Sequence, residues 1–367
     1  MPDPGRLLKR DIQRHRSANQ RNSLYARQDP RGAGQGLGEE IIMKPFNYIQ
    51  ANSLVEAGAI LAASSNGAIH SGGTDLMGCL RDRIWMDEVD VVVSLSGIAQ
   101  LKYIRKEGDA IKIGAMTTLT EIATSSLVRE GCLMLADAAR ATASPQLRNV
   151  GTLAGNICQE NRCWYYRYSY RIGGIIECVR KGGKKCLAVG GDHRYHSIFG
   201  AVKKCVAVNP SDTAPALVAA GATIITTNRE IPAVEFFTGE NGKCSTVLEA
   251  GEIVREISVP FGGEGTKSAF KKVALRKSID FAIVTSAASV LVDDGVVARA
   301  SICLGGVAVT PHPSSEAAAL LIGGPLSDER IAKAADAALA GAKPLKGNRY
   351  KVKMARAIIA DTLAECS

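Results

Sequence analysis

The chain has 367 residues, a formal net charge of +9, 46% hydrophobic and 22% charged residues; that length exceeds what one hydrophobic core usually serves and leaves room to bury a cofactor. No apolar run approaches the ~20 residues of a membrane-spanning helix and no apolar h-region opens the chain, so a cytoplasmic protein with no membrane span is expected. The basic excess raises nucleic acid as a partner, but no helix-turn-helix, zinc-finger or aromatic RNA-platform pattern accompanies it, and no nucleic-acid partner is expected.

Residues 1–42 lack apolar periodicity and are rich in Arg, Gln, Gly and Asn, which predicts a disordered basic leader. An Arg-rich transit peptide is the rival reading, and the leader's acidic residues speak against it. From Met43 the stretch MKPFNYIQANSLVEAGAILAAS predicts an extended segment and then a helix. Short apolar runs separated by turns follow in GAIHSGGTDL, DVVVSLSG and LKYIRKEGDAIKIGAMTTLTEI, and strands alternating with helices predict an α/β arrangement. Further on, KCVAVNPSDTAPALVAAGATIITT reads as strand, loop, helix, strand, and EIVREISVPF as a strand closed by Pro260. The glycine-rich GGEGTKS after it is a plausible domain boundary. Beyond it, AFKKVALRK, IVTSAASVLVDDGVVARASICLGGVAVTP and two Ala-rich helices predict a hairpin-plus-helix unit.

Two loops carry small residues and bare backbone. HSGGTDL places Gly72, Gly73, Thr74 and Asp75 in a tight turn, where consecutive N–H groups make a concave anion site. RNVGTLAGNI offers Gly151, Thr152, Gly155 and Asn156 in the same way. Each alone is as consistent with a plain turn, and neither has the spacing of a dinucleotide GxGxxG or a P-loop. Together they could grip one extended ligand from both sides.

The segment from Cys158 to Cys205 is unlike the rest. It holds five of the ten cysteines, and ten Lys or Arg against three Asp or Glu. In a reducing compartment such cysteines are thiols or metal ligands rather than a disulfide framework. Cys79, Cys132, Cys244, Cys303 and Cys366 read instead as small hydrophobes, and His193 and His196 as surface residues.

GGTDL, LRNVGTLAGNI, NPSDTAPAL and FKKVALRKSIDFAIVTSAASV, in that order and spacing, resemble the FAD-binding subunit of the molybdenum hydroxylases, the family of xanthine dehydrogenase and carbon monoxide dehydrogenase, from about Met43 to the C-terminus. The resemblance implies an α/β (α+β) fold: a two-subdomain FAD-binding domain of the vanillyl-alcohol oxidase type over 43–262, then a smaller α/β C-terminal domain of the CO dehydrogenase flavoprotein type over 263–367. It implies that Ile69, His70, Ser71, Gly72, Gly73, Thr74, Asp75 and Leu76 form a first FAD loop and Thr152, Leu153, Ala154, Gly155 and Asn156 a second. Asp212 resembles the aspartate that contacts the ribityl chain, and Ile253 and Val254 are expected to flank the isoalloxazine. The chain departs from the family at Ala154, where glycine is common, and at Ile283, where some members have a lysine near the flavin.

Between Asn156 and Asn209 the chain also carries an insert, about 157–208, similar to the one in 4-hydroxybenzoyl-CoA reductase and aldehyde oxidoreductase flavoproteins that holds a 4Fe-4S cluster. The resemblance makes Cys163, Cys178, Cys186 and Cys205 its ligands, with Cys158 an alternative to Cys163. A cluster on four thiolates is anionic, and Arg162, Arg167, Arg180, Lys181, Lys184, Lys185, Lys203 and Lys204 supply cations around it. Zinc needs the same ligands but usually comes in paired CxxC knuckles, which these spacings are not. The function implied is an electron-transfer flavoprotein subunit of a molybdenum hydroxylase. Its partners would be a small 2Fe-2S subunit, a large molybdopterin subunit and an external carrier such as ferredoxin, NAD or a quinone. A free-standing FAD-dependent oxidoreductase and a zinc-containing interaction protein are the alternatives.

Overall fold

Val91, Val92, Val93 and Ser94 are buried without interruption, the pattern of a strand covered on both faces. The computed structural model describes residues 43–170, 174–239 and 245–367; the leader expected over 1–42 lies outside them, as does Cys244. Strands β1 (Asn47–Gln50), β2 (Gly67–His70) and β3 (Val91–Ser94) form a parallel sheet in the order β1-β3-β2. The helix Leu54–Ala62 makes the first crossover, and the Ser53 hydroxyl starts it by accepting from Glu56 N at 3.1 Å. Ala57 and Leu61 of the helix pack with Val91, Val93 and Leu101.

The second sheet is antiparallel throughout, in contrast to the α/β alternation expected. It comprises β4 (Ile104–Glu107), β5 (Ala110–Gly114), β6 (Thr223–Thr226), β7 (Glu230–Pro232) and β8 (Val254–Pro260), in the order β4-β5-β8-β6-β7. For the first pair the cause is local: Glu107 and Ala110 are joined through Gly108, at φ +58°, and so short a connection permits only an antiparallel pair. Helices Leu119–Thr124, Leu133–Ala141 and Thr213–Ala219 pack on this sheet, and Ile111, Ile113, Leu135, Leu217, Ile224 and Ile257 are fully buried in the shared core.

The third sheet has β9 (Thr266–Val273), β10 (Val284–Asp293), β11 (Val296–Gly305) and β12 (His312–Pro313), antiparallel in the order β12-β11-β10-β9. Asp294 and Gly295, at φ 45° and 77°, make the two-residue hairpin turn that an Asp-Gly pair favours. Period-two alternation divides the side chains: Phe270, Ala287 and Cys303 enter the core of the second sheet, whereas Ala269, Ala288 and Leu304 face the helices Asp328–Ala337 and Tyr350–Ala364. One sheet thereby closes two cores.

Between the helix Leu153–Ile157 and the helix Thr213–Ala219 the chain forms little regular structure. A 3-10 turn at Val179–Lys181 and a short helix at Leu187–Gly190 are its elements among the described residues. KCVAV is not the strand its apolar pattern predicts. Lys203 and Lys204 turn at φ 42° and 70°, and the residues after them bond singly, Ser197 N to Val206 O at 2.9 Å and Asn209 N to Ala308 O at 3.1 Å. Among the described residues no neighbouring strand runs alongside to complete a ladder there.

Candidate functional site

The first loop leaves β2 at His70 and enters the helix Leu76–Asp82. Gly73 takes φ +70°, and a Cβ on Gly72 would lie 2.0 Å from the Val150 carbonyl oxygen, so only bare backbone fits against the approach to the second loop. In that second loop Thr152 caps the helix Leu153–Ile157, accepting from Gly155 N at 3.1 Å. The Ser71 and Thr152 hydroxyls then bond at 2.6 Å, joining the loops directly. A third segment is joined through Asn156, whose Oδ1 accepts from the hydroxyls of Ser211 at 2.6 Å and Thr213 at 2.7 Å. The structure therefore brings together the stretches 69–76, 152–156 and 209–213, which the sequence separates widely.

Two of the acidic residues have specific protein partners. The Asp75 side chain turns toward the cysteine segment, accepting from Glu160 N at 2.8 Å, Arg167 Nη2 at 2.7 Å and Arg162 Nη1. Asp212 is buried and pairs at 2.6 Å with Lys272 of β9, which also donates to the Ala141 carbonyl at 3.0 Å. Sequence reasoning missed Lys272, which occupies an ordinary alternating strand position. Ile253 and Val254 are buried in two different apolar clusters; neither lines the cavity described next.

That cavity, about 260 Å³, has the Asn209–Asp212 stretch as one wall, Phe281 and Ile283 as another, and Arg162, Cys163 and His196 of the cysteine segment as a third. Behind the third wall Cys163, Cys178 and Cys205 come together. Burial pushes the Cys163 thiol up to about 12, with Cys205 and Cys178 adding to the effect. Arg180 Nε and Ala207 N donate to Cys205 Sγ at 3.1 and 3.4 Å. Lys181 Nζ is buried beside Cys178 and Cys163 with no hydrogen-bond partner. Cys186 is half-buried, at the start of the helix Leu187–Gly190, while Cys158 is exposed. Among the described residues no three Cys, His, Asp or Glu side chains are grouped as ligands of a single metal ion. His196 is not on the surface as expected: it is 4% exposed, and its Nε2 lies 3.2 Å from Cys163 Sγ. His193 is also tied down, with Nδ1 3.0 Å from Ala188 O and Nε2 accepting from Gly347 N at 2.9 Å. Cys79, Cys132, Cys303 and Cys366 are buried, as small hydrophobes should be.

A family profile described as the FAD binding domain in molybdopterin dehydrogenase matches residues 44–262, more than half of the chain. The chain belongs to the FAD-binding medium subunits of the molybdenum hydroxylase family. A second profile, the CO dehydrogenase flavoprotein C-terminal domain, matches residues 268–366 of this medium subunit. It is 30% identical over 334 residues to the FAD-binding subunit of an aldehyde oxidoreductase from Escherichia coli, covering 88% of this chain and 98% of that one. The FAD-subunit of nicotinate dehydrogenase from Eubacterium barkeri is 30% identical over 292 residues, covering 79% and 83%. A carbon monoxide dehydrogenase structure from Hydrogenophaga pseudoflava superposes with a TM-score of 0.68 at 27% identity, covering 89% of this medium subunit and all of that chain. The mixed helix and strand architecture is thus that of the CO dehydrogenase medium chains. No helix among the described residues is long and apolar enough to cross a membrane.

Proposed function

We propose that this medium subunit holds FAD between the loops 69–76 and 152–156, with Asp212 toward the ribityl chain and Ile253 and Val254 toward the isoalloxazine, and carries a 4Fe-4S cluster on Cys163, Cys178, Cys186 and Cys205. It relays electrons between molybdopterin and 2Fe-2S partner subunits and an external carrier in the cytoplasm. FAD supplies the exchange between electron pairs and the single electrons an iron–sulfur centre passes. The observation that carries the reading is the pair of joints, Ser71 to Thr152 and Asn156 to Ser211, which gathers two glycine loops and the cavity wall into one cradle. Glycine at 72 and 155 keeps side chains out of that cradle, so backbone donors can approach a diphosphate.

What supports a cluster is the gathering of three of the four cysteines, Cys163, Cys178 and Cys205. Lys181 Nζ is buried over the Tyr166 ring, 5.2 Å from its centroid, with no hydrogen-bond acceptor, a setting that an anion beside it would relieve. Thiolates of a four-iron cube bind four different metals and need not converge on one point, which suits cysteines not grouped as single-ion ligands. Among the relatives, the names "FAD-binding subunit" and "medium chain" describe parts of larger assemblies, which supports partner subunits here.

Spectra and metal counts of protein purified without oxygen test the proposal. Flavin bands over a broad iron–sulfur slope, with four irons per chain, are expected. Separate Cys163→Ser, Cys178→Ser, Cys186→Ser and Cys205→Ser changes should remove iron and leave FAD, because serine is a poor ligand for a soft centre. Zinc in place of iron overturns the cluster, and protein devoid of flavin overturns the cradle.

A further inference from the structure

His196 lines the cavity without belonging to the glycine loops or to the four-cysteine set, and the fold holds its backbone firmly. Its carbonyl accepts from Asn348 Nδ2 at 3.0 Å and from Lys351 Nζ at 3.0 Å. Lys351, fully buried at the start of the last helix, gives its other protons to the carbonyls of Tyr195 at 3.2 Å and Gly306 at 2.5 Å. An ammonium has three donors and all three are used. Asn348 also donates to Ser197 O at 3.0 Å, and Tyr350 OH to Arg194 O at 2.9 Å. The carbonyls of residues 194–197 are thus held in sequence by residues 348–351. What this clamp presents is the His196 ring, with Nε2 at Cys163 Sγ and Nδ1 buried without a partner.

We propose that His196 is a positioning residue of the cysteine site: its Nε2–H donates to the Cys163 sulfur and raises the electron affinity of the centre, and Asn348 and Lys351 hold the ring in place. The inference rests on the 4Fe-4S reading above. A ligating thiolate only accepts, so the ring proton belongs on Nε2. A hydrogen bond to a ligand sulfur draws charge from it and makes an added electron easier to hold. The C-terminal helix, far along the chain from every cysteine of the set, would thereby set the potential of the centre.

EPR-monitored redox titration of the whole protein, prepared without oxygen, measures this with no substrate turnover. His196→Leu should keep its four irons while its midpoint falls. At the wild-type midpoint the reduced-to-oxidised ratio should drop about tenfold, which is about 59 mV for one electron. His196→Gln, whose amide N–H reaches toward the same sulfur, should recover most of the shift. Lys351→Met should move the midpoint the same way by less, and add nothing in the double variant with His196→Leu. Four irons with an unmoved midpoint in His196→Leu overturns the proposal. Should that variant fail to assemble, an unmoved midpoint in Lys351→Met overturns it equally. A wild-type protein without iron overturns the 4Fe-4S reading itself and this inference with it.

Discussion

Replacing Lys272 by methionine isolates the pair it forms with Asp212. Both side chains are nearly closed to solvent, 10% and 4% exposed, and they meet at 2.6 Å. Removing only the cation leaves a carboxylate buried with no counter-charge, which costs about 3 to 5 kcal/mol in comparable sites. The Ala141 carbonyl loses its donor at the same time, worth about 1 kcal/mol more. At an m value of about 3 kcal/mol/M the urea midpoint should fall by roughly 1 to 2 M. The double change Lys272→Met with Asp212→Leu removes both charges and should recover most of the loss, since an apolar replacement of a whole buried pair is often neutral. Urea unfolding followed by circular dichroism on the wild type, both single variants and the double variant closes the cycle. Equal losses in Lys272→Met and in the double variant would refute the argument, because the penalty would then belong to packing and not to a stranded charge.

Gly72→Val should leave a folded protein that loses most of its FAD, since its Cβ alone collides with the Val150 carbonyl; flavin absorbance per chain after gel filtration checks it. Burial raises the Glu160 carboxyl to about 7 against about 4.3 in an unfolded chain. Between those values the folded state keeps a proton that the unfolded state has lost, so its contribution to stability falls as pH rises. Glu160→Gln should therefore gain on the wild type from pH 5 to pH 7 in thermal melts, and parallel curves would count against it. Ile279 is β-branched at φ +67° and half exposed, so Ile279→Gly should stabilise the protein by about 0.5 to 1 kcal/mol, read as a rise in the urea midpoint.

What could be read from the sequence was whatever a few consecutive residues determine. The Gly72-Gly73 turn, the Asp294-Gly295 hairpin and the alternation along β10 and β11 are local facts, and each stands where its pattern puts it. Partners across the chain could not be read that way. The partners of the Asp75 carboxylate, Arg162 and Arg167, stand 87 and 92 positions later. His196 sits among polar and basic residues that suggest solvent, and its burial depends on Asn348 and Lys351, more than 150 positions away. KCVAV failed for a related reason: an apolar run becomes a strand only where a neighbouring strand is free to complete its hydrogen bonds, and the Lys203-Lys204 turn folds it into single contacts.

The bonds from Asn156 to Ser211 and Thr213 have an architectural consequence. They tie the chain just before the cysteine segment to the chain just after it, so the segment begins and ends at one place. A stretch of about fifty residues hung between pinned ends costs only about 3 to 4 kcal/mol of closure entropy, and it disturbs none of the three sheets. Its interior is woven into the fold as well, since Arg162 and Arg167 hold Asp75 and residues 348–351 hold the carbonyls of 194–197. Deleting the segment would leave the fully buried Lys351 with Gly306 as its one remaining acceptor and Asp75 without its two cations, so its loss would be felt at both ends of the chain.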